Sequence, residues 1–356
     1  MPRKAVSILL SGACAATLLI GPAPGLAQPA AADLGQAPAC TPAPPAPRPT
    51  GPAPTFARDL PVIAIPGVVA AEVSWKKVWQ HEANSADGLI PDKDGNVLMA
   101  QEDYDTVLRL HPDGKTDVAV ADAKGIGAVS VDRQGRLYGA HRTEQPRSVK
   151  PDRAEIMNAI RILTPKQEVI GKAWSGFGPA IRPNDLIADN QGGAWFTAAC
   201  LYHASSKGVT TVADNLNTNG INLSPDDKTL YVTNGATIVA FDVQGPGKLA
   251  NRRDFAHLDA GGAGDGMAVD SEGRLYVTSA PGVQVFDKTG KYLGLIPTPR
   301  GVISVTIAGP DRNVLYVSGA GAEDEKGQPI KAGPQDWAAT VYSLPLLSHG
   351  IKGHAK

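Results

Sequence analysis

Short apolar runs of four to six residues return along this chain, each closed by a polar turn rich in Asp and Gly and followed by Leu-Tyr-Val or a close variant. The phrase is seen in Ile90-Pro91-Asp92-Lys93-Asp94-Gly95-Asn96-Val97-Leu98 and in Val129-Ser130-Val131-Asp132-Arg133-Gln134-Gly135-Arg136-Leu137-Tyr138. It returns from Leu186 to Phe196, from Leu223 to Val232, from Met267 to Val277 and from Ile307 to Val317, so there are six copies at intervals of about 40 residues. Asp, Asn and Gly tolerate left-handed turns and Val, Leu and Tyr suit strands, so each copy predicts a β-hairpin. A further strand follows in most copies, as in Thr106-Val107-Leu108-Arg109-Leu110 and Val283-Gln284-Val285-Phe286. Three or four strands per repeat with no helical periodicity predict an all-β fold, a six-bladed β-propeller. A β-sandwich is the alternative, but its strands do not repeat one phrase. The polar stretch from Thr143 to Ala159 reads as a loop or short helix over one face of the ring.

The two ends of the chain break this pattern. Arg3 and Lys4, an apolar stretch from Ala5 to Ile20 and the small-residue site Gly25-Leu26-Ala27 predict a signal peptide over residues 1–27, with cleavage before Gln28 and a periplasmic or secreted product. Gly12, Gly21 and Pro22 interrupt that stretch, which is shorter than a membrane span needs. Cys14 raises lipid attachment as an alternative, but Ser11-Gly12-Ala13 lacks the leucine expected three positions upstream. Residues 28–55 are mostly Pro and Ala and read as a semi-extended tether. The propeller is expected over 56–347, and 348–356 form a tail. Lys plus Arg number 34 and Asp plus Glu 35, so no field gathers nucleic acid or an anionic membrane. The expected partner is a small molecule and the expected state a monomer. Cys40 and Cys200 remain after signal removal, and either a disulfide or two free thiols fits.

Polar residues recur where the innermost strand of several repeats begins: Asp87 before Gly88, Asn184 before Asp185, Asn219 before Gly220 and Asp265 before Gly266. Innermost strands run side by side round the axis, so these four side chains should meet at one end of the tunnel. Two carboxylates and two amide carbonyls suit one divalent cation, calcium first and magnesium, manganese or zinc less specifically. The competing reading is that each residue makes a turn, since Asn-Gly and Asp-Gly are common turn dipeptides. A cation beside Asp265 would depress its pKa and keep it ionised as a general base. His141 and Arg142, after the second repeat's Leu137-Tyr138 strand, can face the same pocket, and His141 is carried as a substrate contact. His203, His257, His349 and His354 show no paired spacing and default to solvent or turn roles. Gly-x-Ser-x-Gly, Walker and His-Glu-x-x-His motifs are absent, so serine esterase, nucleotide and zincin chemistry lack support.

From about Asp87 to Tyr342 the chain resembles the SMP-30/gluconolactonase/luciferin-regenerating-enzyme family of six-bladed propellers. The residues that carry the resemblance are Arg182-Pro183-Asn184-Asp185, Thr218-Asn219-Gly220-Ile221-Asn222-Leu223-Ser224-Pro225-Asp226 and Asp265-Gly266-Met267-Ala268-Val269-Asp270. The resemblance implies metal ligation by Asn219 and Asp265, metal or substrate contact by Asn184, and substrate contact by Arg182. The expected activity is hydrolysis of a lactone, with a non-catalytic binding propeller or another ester on the same site as rivals. Asp87-Gly88-Leu89 departs from the family's Glu-Gly-Pro and shortens the first ligand by one methylene, with Glu82 as the fallback. Ala198-Ala199-Cys200 replaces the family's longer segment, which predicts a more open pocket on that side.

Overall fold

Four of the six repeated phrases are each held by one aspartate, Asp92, Asp132, Asp189 or Asp270. Asp132 Oδ1 accepts the backbone N–H groups of Gln134 and Arg136, both at 2.9 Å, while Oδ2 accepts Arg136 Nε at 2.6 Å and the Tyr138 hydroxyl at 3.1 Å. Asp270 repeats the arrangement on Glu272, Arg274 and Tyr276 at 2.9, 2.9, 2.7 and 3.1 Å. Asp189 Oδ1 likewise accepts Gln191 and Gly193, but its Oδ2 takes Nε2 of His203 at 2.7 Å. His203 is therefore buried against a carboxylate and not a solvent residue. The phrase recurs because one side chain satisfies two turn donors and anchors two side chains of the next strand.

A computed structural model describes residues 34–44, 61–81, 86–102, 104–123, 125–142, 157–176, 180–330, 338–353 and 356. The expected signal peptide, Glu82 and residues 143–156 of the expected loop lie outside them. The described chain is all-β, and none of its elements is a helix long and apolar enough to cross a membrane. After β1 (Lys76–His81), the strands β2 (Asp87–Pro91), β3 (Val97–Gln101), β4 (Thr106–Leu110) and β5 (Thr116–Val120) pair in chain order as one antiparallel sheet. β6 (Ile126–Val131), β7 (Leu137–His141), β8 (Met157–Thr164) and β9 (Glu168–Ser175) form the next, so Met157–Ala159 belong to a strand and not to a loop. A six-stranded sheet follows: β10 (Leu186–Ala188), β11 (Ala194–Ser205), β12 (Gly208–Leu223), β13 (Thr229–Asn234), β14 (Thr237–Gly245) and β15 (Lys248–His257). β16 (Met267–Val269), β17 (Leu275–Ser279), β18 (Gly282–Phe286) and β19 (Tyr292–Pro297) make another. The last comprises β20 (Val302–Ala308), β21 (Val314–Ala320) and β24 (Ala339–Pro345), with the short pair β22 (Ala322–Glu323) and β23 (Pro329–Ile330) inserted. β1 completes it from the far end of the chain, Lys76 pairing with Ser343.

Strand β12 serves two repeats. Its first part pairs with β11, Gly208 opposite Ser205, and its end pairs with β13, Ile221 opposite Val232 and Leu223 opposite Leu230. Counting its end as an inner strand, β2, β6, β10, β12, β16 and β20 adjoin one another in that order, and β20 adjoins β2 again. The six repeats thus surround one axis, with Asp87 at one end of it and the Asp92-type turns at the other. Buried Val, Ile, Leu and aromatic side chains fill the space between neighbouring sheets.

Residues 34–44, part of the expected semi-extended tether, are pinned to the ring, and of the two cysteine alternatives the disulfide is the one present. Gly35 N–H donates to the Ala173 carbonyl, Asn215 N–H to Thr41 and Ala43 N–H to Leu216, each at 2.8 Å, and Cys40 is joined to the buried Cys200 by a disulfide. The cross-link and these bonds supply what a Pro/Ala segment lacks in apolar side chains. The expected tail is also held: Gly350 bridges to Asp270, and Lys356 returns to the axis.

Candidate functional site

Why the inner strands begin with Asp-Gly or Asn-Gly is seen in the glycines. A Cβ on Gly88 would lie 2.5 Å from Cα of Ala128, one on Gly220 2.1 Å from the carbonyl oxygen of Asp265, and one on Gly266 2.8 Å from that of Ile303. In each case the obstacle is the backbone of the next inner strand. Only Gly88 of the three adopts a positive φ, so close approach, more than turn conformation, requires glycine here. The turn reading of these dipeptides is therefore insufficient. Because the strands crowd together at this end, the residue before each glycine is brought to the axis.

Asp87, Asn184, Asn219 and Asp265 all line one narrow space with a free volume of about 10 Å³. Asn184 Nδ2 donates to Asn219 Oδ1 at 2.7 Å. Arg142 Nη2 lies 3.3 Å from Asp87 Oδ2 and 3.2 Å from Asn184 Oδ1, which ties those two side chains to one nitrogen. Arg142 is buried, and Gly127 admits it: a Cβ there would sit 2.3 Å from its Nε. His141 is not among the residues lining this space; its Nδ1 lies 3.3 Å from Arg161 Nη1. Of the two adjacent residues it is Arg142, not His141, that enters the site.

Two further acids were not found by sequence reasoning. Glu102, buried just past β3, accepts Arg142 Nη1 at 3.3 Å and also pairs with Nη2 of Arg182. A carboxylate directly after the apolar Val97-Leu98-Met99-Ala100 run was the available signal. Arg182 is half-buried beside the site, outside the residues that line the space, with Glu102 fixing it from below. Asp185 lies one residue beyond Asn184; its Oδ1 accepts Leu186 N–H at 2.9 Å, and its Oδ2 takes the ammonium of Lys356.

These charges oppose one another. Burial pushes the Asp265 carboxyl well above the usual carboxylate range, and the like charges of Asp87 and Asp185 add to the rise; Arg142 and Lys356 offset only part of it. Burial also raises Asp87, against the attraction of Arg142. For Arg142 burial works against the charge, but Asp87, Glu102 and Asp185 outweigh it and raise its pKa. Among the described residues no three His, Cys, Asp or Glu side chains gather as a ligand set. The oxygen donors available for a cation are two carboxylates and two amides, and the crowding of carboxylates around Asp265 is the kind of charge imbalance a cation relieves.

An all-β ring of repeats with acidic and amide side chains at one end of its axis is a propeller architecture with a candidate site at that end. The SMP-30/Gluconolactonase/LRE-like region matches residues 123–321, and the chain belongs to that family. Regucalcin of Xenopus laevis is 31% identical over 288 residues, covering 74% of this chain and 90% of that protein. Gluconolactonase of Zymomonas mobilis is 24% identical over 291 residues, covering 70% and 78%. Lactonohydrolase oryL of Aspergillus oryzae is 29% identical over 183 residues; the match spans 39% of this chain and less than half of that relative's length, 42%. Among solved structures, the gluconolactonase XC5397 of Xanthomonas campestris superposes with a TM-score of 0.60 at 24% identity, over 84% of this chain and 99% of that one.

Proposed function

We propose that this chain is an exported lactonase that depends on one divalent cation and opens a sugar lactone, or a comparable small cyclic ester, to its hydroxy acid. The observation that carries the reading is the convergence of Asp87, Asn184, Asn219 and Asp265 on a space of about 10 Å³, room for a single ion or water. Relatives named as lactonases or gluconolactonases support the reaction class. The four oxygen donors favour calcium, with magnesium, manganese or zinc as weaker fits. A cation held by them supplies Lewis-acid polarisation of the ester carbonyl.

The chain's own residues divide the remaining work. The lactone is too large for the space between the four side chains and sits outward of it, where Arg182 and Asn184 orient its hydroxyls. Asp265, whose proton affinity burial raises first and the charges of Asp87 and Asp185 raise further, in its ionised form takes a proton from the attacking water as oxygen bonds to the acyl carbon. The acyl–oxygen ring bond then breaks, and that proton passes to the departing alkoxide, leaving one carboxylic acid and one hydroxyl. Glu102 holds Arg182 and Arg142 in place and takes no part in proton transfer. The Arg3, Lys4 and Gly25-Leu26-Ala27 pattern supports export, with a mature N-terminus near Gln28; N-terminal sequencing of the recovered protein checks it.

A second reading, a propeller that binds a ligand without turnover, is favoured by Arg142, whose guanidinium already sits between Asp87 and Asn184. Lactone turnover by the wild type, assayed with and without chelator, separates the two, and Asp265→Asn then tests the base. The amide is nearly isosteric, so the fold is retained, and lactone turnover falls by at least ~10²-fold if Asp265 is the base. Wild-type rates in Asp265→Asn, together with insensitivity to chelator, would remove both Asp265 and the cation from the mechanism; no turnover of any lactone by the cation-loaded wild type would establish the non-catalytic reading.

A further inference from the structure

A second cavity, of about 430 Å³, opens at the other end of the inner strands, between the first two sheets and under the returning C-terminal segment. It shares no residue with the Asp87 site, and its volume lies within the about 300–1,000 Å³ of small-molecule pockets. Leu98, Val120, Val131 and Leu137 give it an apolar floor, and Ile351 of the C-terminal segment closes one side.

Of the cations on its wall Arg312 is poorly answered, whereas Lys93 pairs with Asp94 at 3.0 Å and Arg133 with Asp227 at 2.7 Å. Arg312 lines the cavity and is only 3% exposed, yet its Nη1 has no hydrogen-bond partner among the described residues, while Nη2 donates to the Asp92 carbonyl. The backbone pins it there: Arg312 N–H donates to Gly309 at 3.0 Å, and Gly350 N–H donates to the Arg312 carbonyl at 2.7 Å. Arg109 also lines the space but is paired, its Nη1 donating to Asp117 Oδ2 at 3.0 Å. The acids on the wall are already engaged. Asp132 is used by its own turn, Arg136 and Tyr138; Asp92 is used by its turn and Asn96, with Arg109 Nε 3.3 Å away. A buried guanidinium nitrogen without an acceptor is costly unless something completes it.

We propose that this cavity is a second binding site, for a small monocarboxylate with an apolar body, whose carboxylate is received by Arg312 and whose hydrocarbon lies on Leu98, Val131 and Leu137. Charge selects the anion and the floor selects against a polyhydroxy acid, so the ligand is neither the lactone nor its hydrolysis product. The inference does not rest on the lactonase reading.

Octanoate is the probe, titrated calorimetrically into the full chain in the presence of chelator. One-to-one binding is expected, with octanol and gluconate each at least about tenfold weaker, a difference one charge-assisted hydrogen bond readily supplies. Arg312→Gln should weaken octanoate by at least about tenfold and leave lactone turnover unchanged. Val131→Trp, which fills the floor and leaves Arg312 in place, should remove binding even if Arg312→Gln fails to fold. Asp265→Asn should bind octanoate as the wild type does. The proposal is overturned if octanol binds as well as octanoate, if inorganic phosphate binds and octanoate does not, if Val131→Trp binds normally, or if Asp265→Asn abolishes binding and so places it at the other end.

Discussion

The position a Cβ of residue 220 would occupy lies 2.1 Å from the carbonyl oxygen of Asp265. No real Cβ contact is that short, and the obstacle is backbone, so Gly220→Ala must displace the strand that carries Asp265. We expect about 1–3 kcal/mol of lost stability, as for overpacking elsewhere, and at least ~10-fold lower kcat/KM for a lactone substrate. Thermal melts and steady-state kinetics read the two effects separately. A variant with wild-type kinetics would show that the spacing of these inner strands does not set the site.

Cation affinity should depend on pH in a defined direction. Burial, then Asp87 and Asp185, hold the Asp265 carboxyl well above the usual range in the cation-free protein, so it keeps its proton where an ordinary carboxylate has lost it. A cation must displace that proton, so affinity rises with pH through the raised value, levels off above it, and falls on acidification. Calcium titrations over a pH series, in two buffers of different ionisation heat, will show proton release below the raised value and none above it. Asp87→Asn removes a like charge, so the pH at which Asp265 loses its proton should move downward. Affinity that is flat with pH, without proton release, contradicts this.

Lys356 places its buried ammonium on Asp185 and within 3.2 Å of the Ile221 carbonyl, beneath the four candidate ligands. Lys356→Met removes a positive charge from the neighbourhood of a bound dication and should raise calcium affinity several-fold at neutral pH. It should also cost about 1–3 kcal/mol by leaving Asp185 short of a partner. A role confined to packing would lower stability and leave calcium affinity unchanged.

The Cys40–Cys200 bridge spans 160 residues of sequence. Chain-entropy arguments give a ceiling of about 5 kcal/mol for a loop of that length, and native bridges commonly contribute about 2–4 kcal/mol. Replacing both cysteines by alanine should therefore lower the unfolding free energy by about 2–5 kcal/mol. It should also free residues 34–44 for proteolysis while the ring itself stays folded. Equal stability with and without reductant would mean that the hydrogen bonds to Ala173 and Leu216 suffice.

The repeat was legible because its determinants are local. Asp132 reaches the turn amides and both Arg136 and Tyr138 within six residues, so the phrase that fixes the hairpin is written in one stretch of sequence. The four axial residues were legible for a related reason: each precedes a glycine, or in one case Asp185, at the same point of the repeat. What escaped was pairing across the ring. Glu102, Arg142 and Arg182 are separated by about 40 residues each and meet only because the first three sheets converge; nothing in the local pattern of any of them favours Arg142 over His141. The burial of His203 was missed because its partner, Asp189, belongs to the preceding hairpin. Composition also misjudged residues 34–44, since a Pro/Ala segment has little to bury, and a covalent bond with three backbone hydrogen bonds replaces burial.

Pairing of Lys76 with Ser343 has a consequence for how the ring is made. β1 leaves the ribosome long before β24, its partner, has been synthesised, so the edges of β1 stay open through most of production. Such distant pairing delays folding, because loop-closure entropy is lost before any contact compensates for it. During that interval the unpaired edge can accept a strand from another copy of the chain. Yield of the native ring is thus a race between closure within one molecule and association between two, and dilution slows only the second.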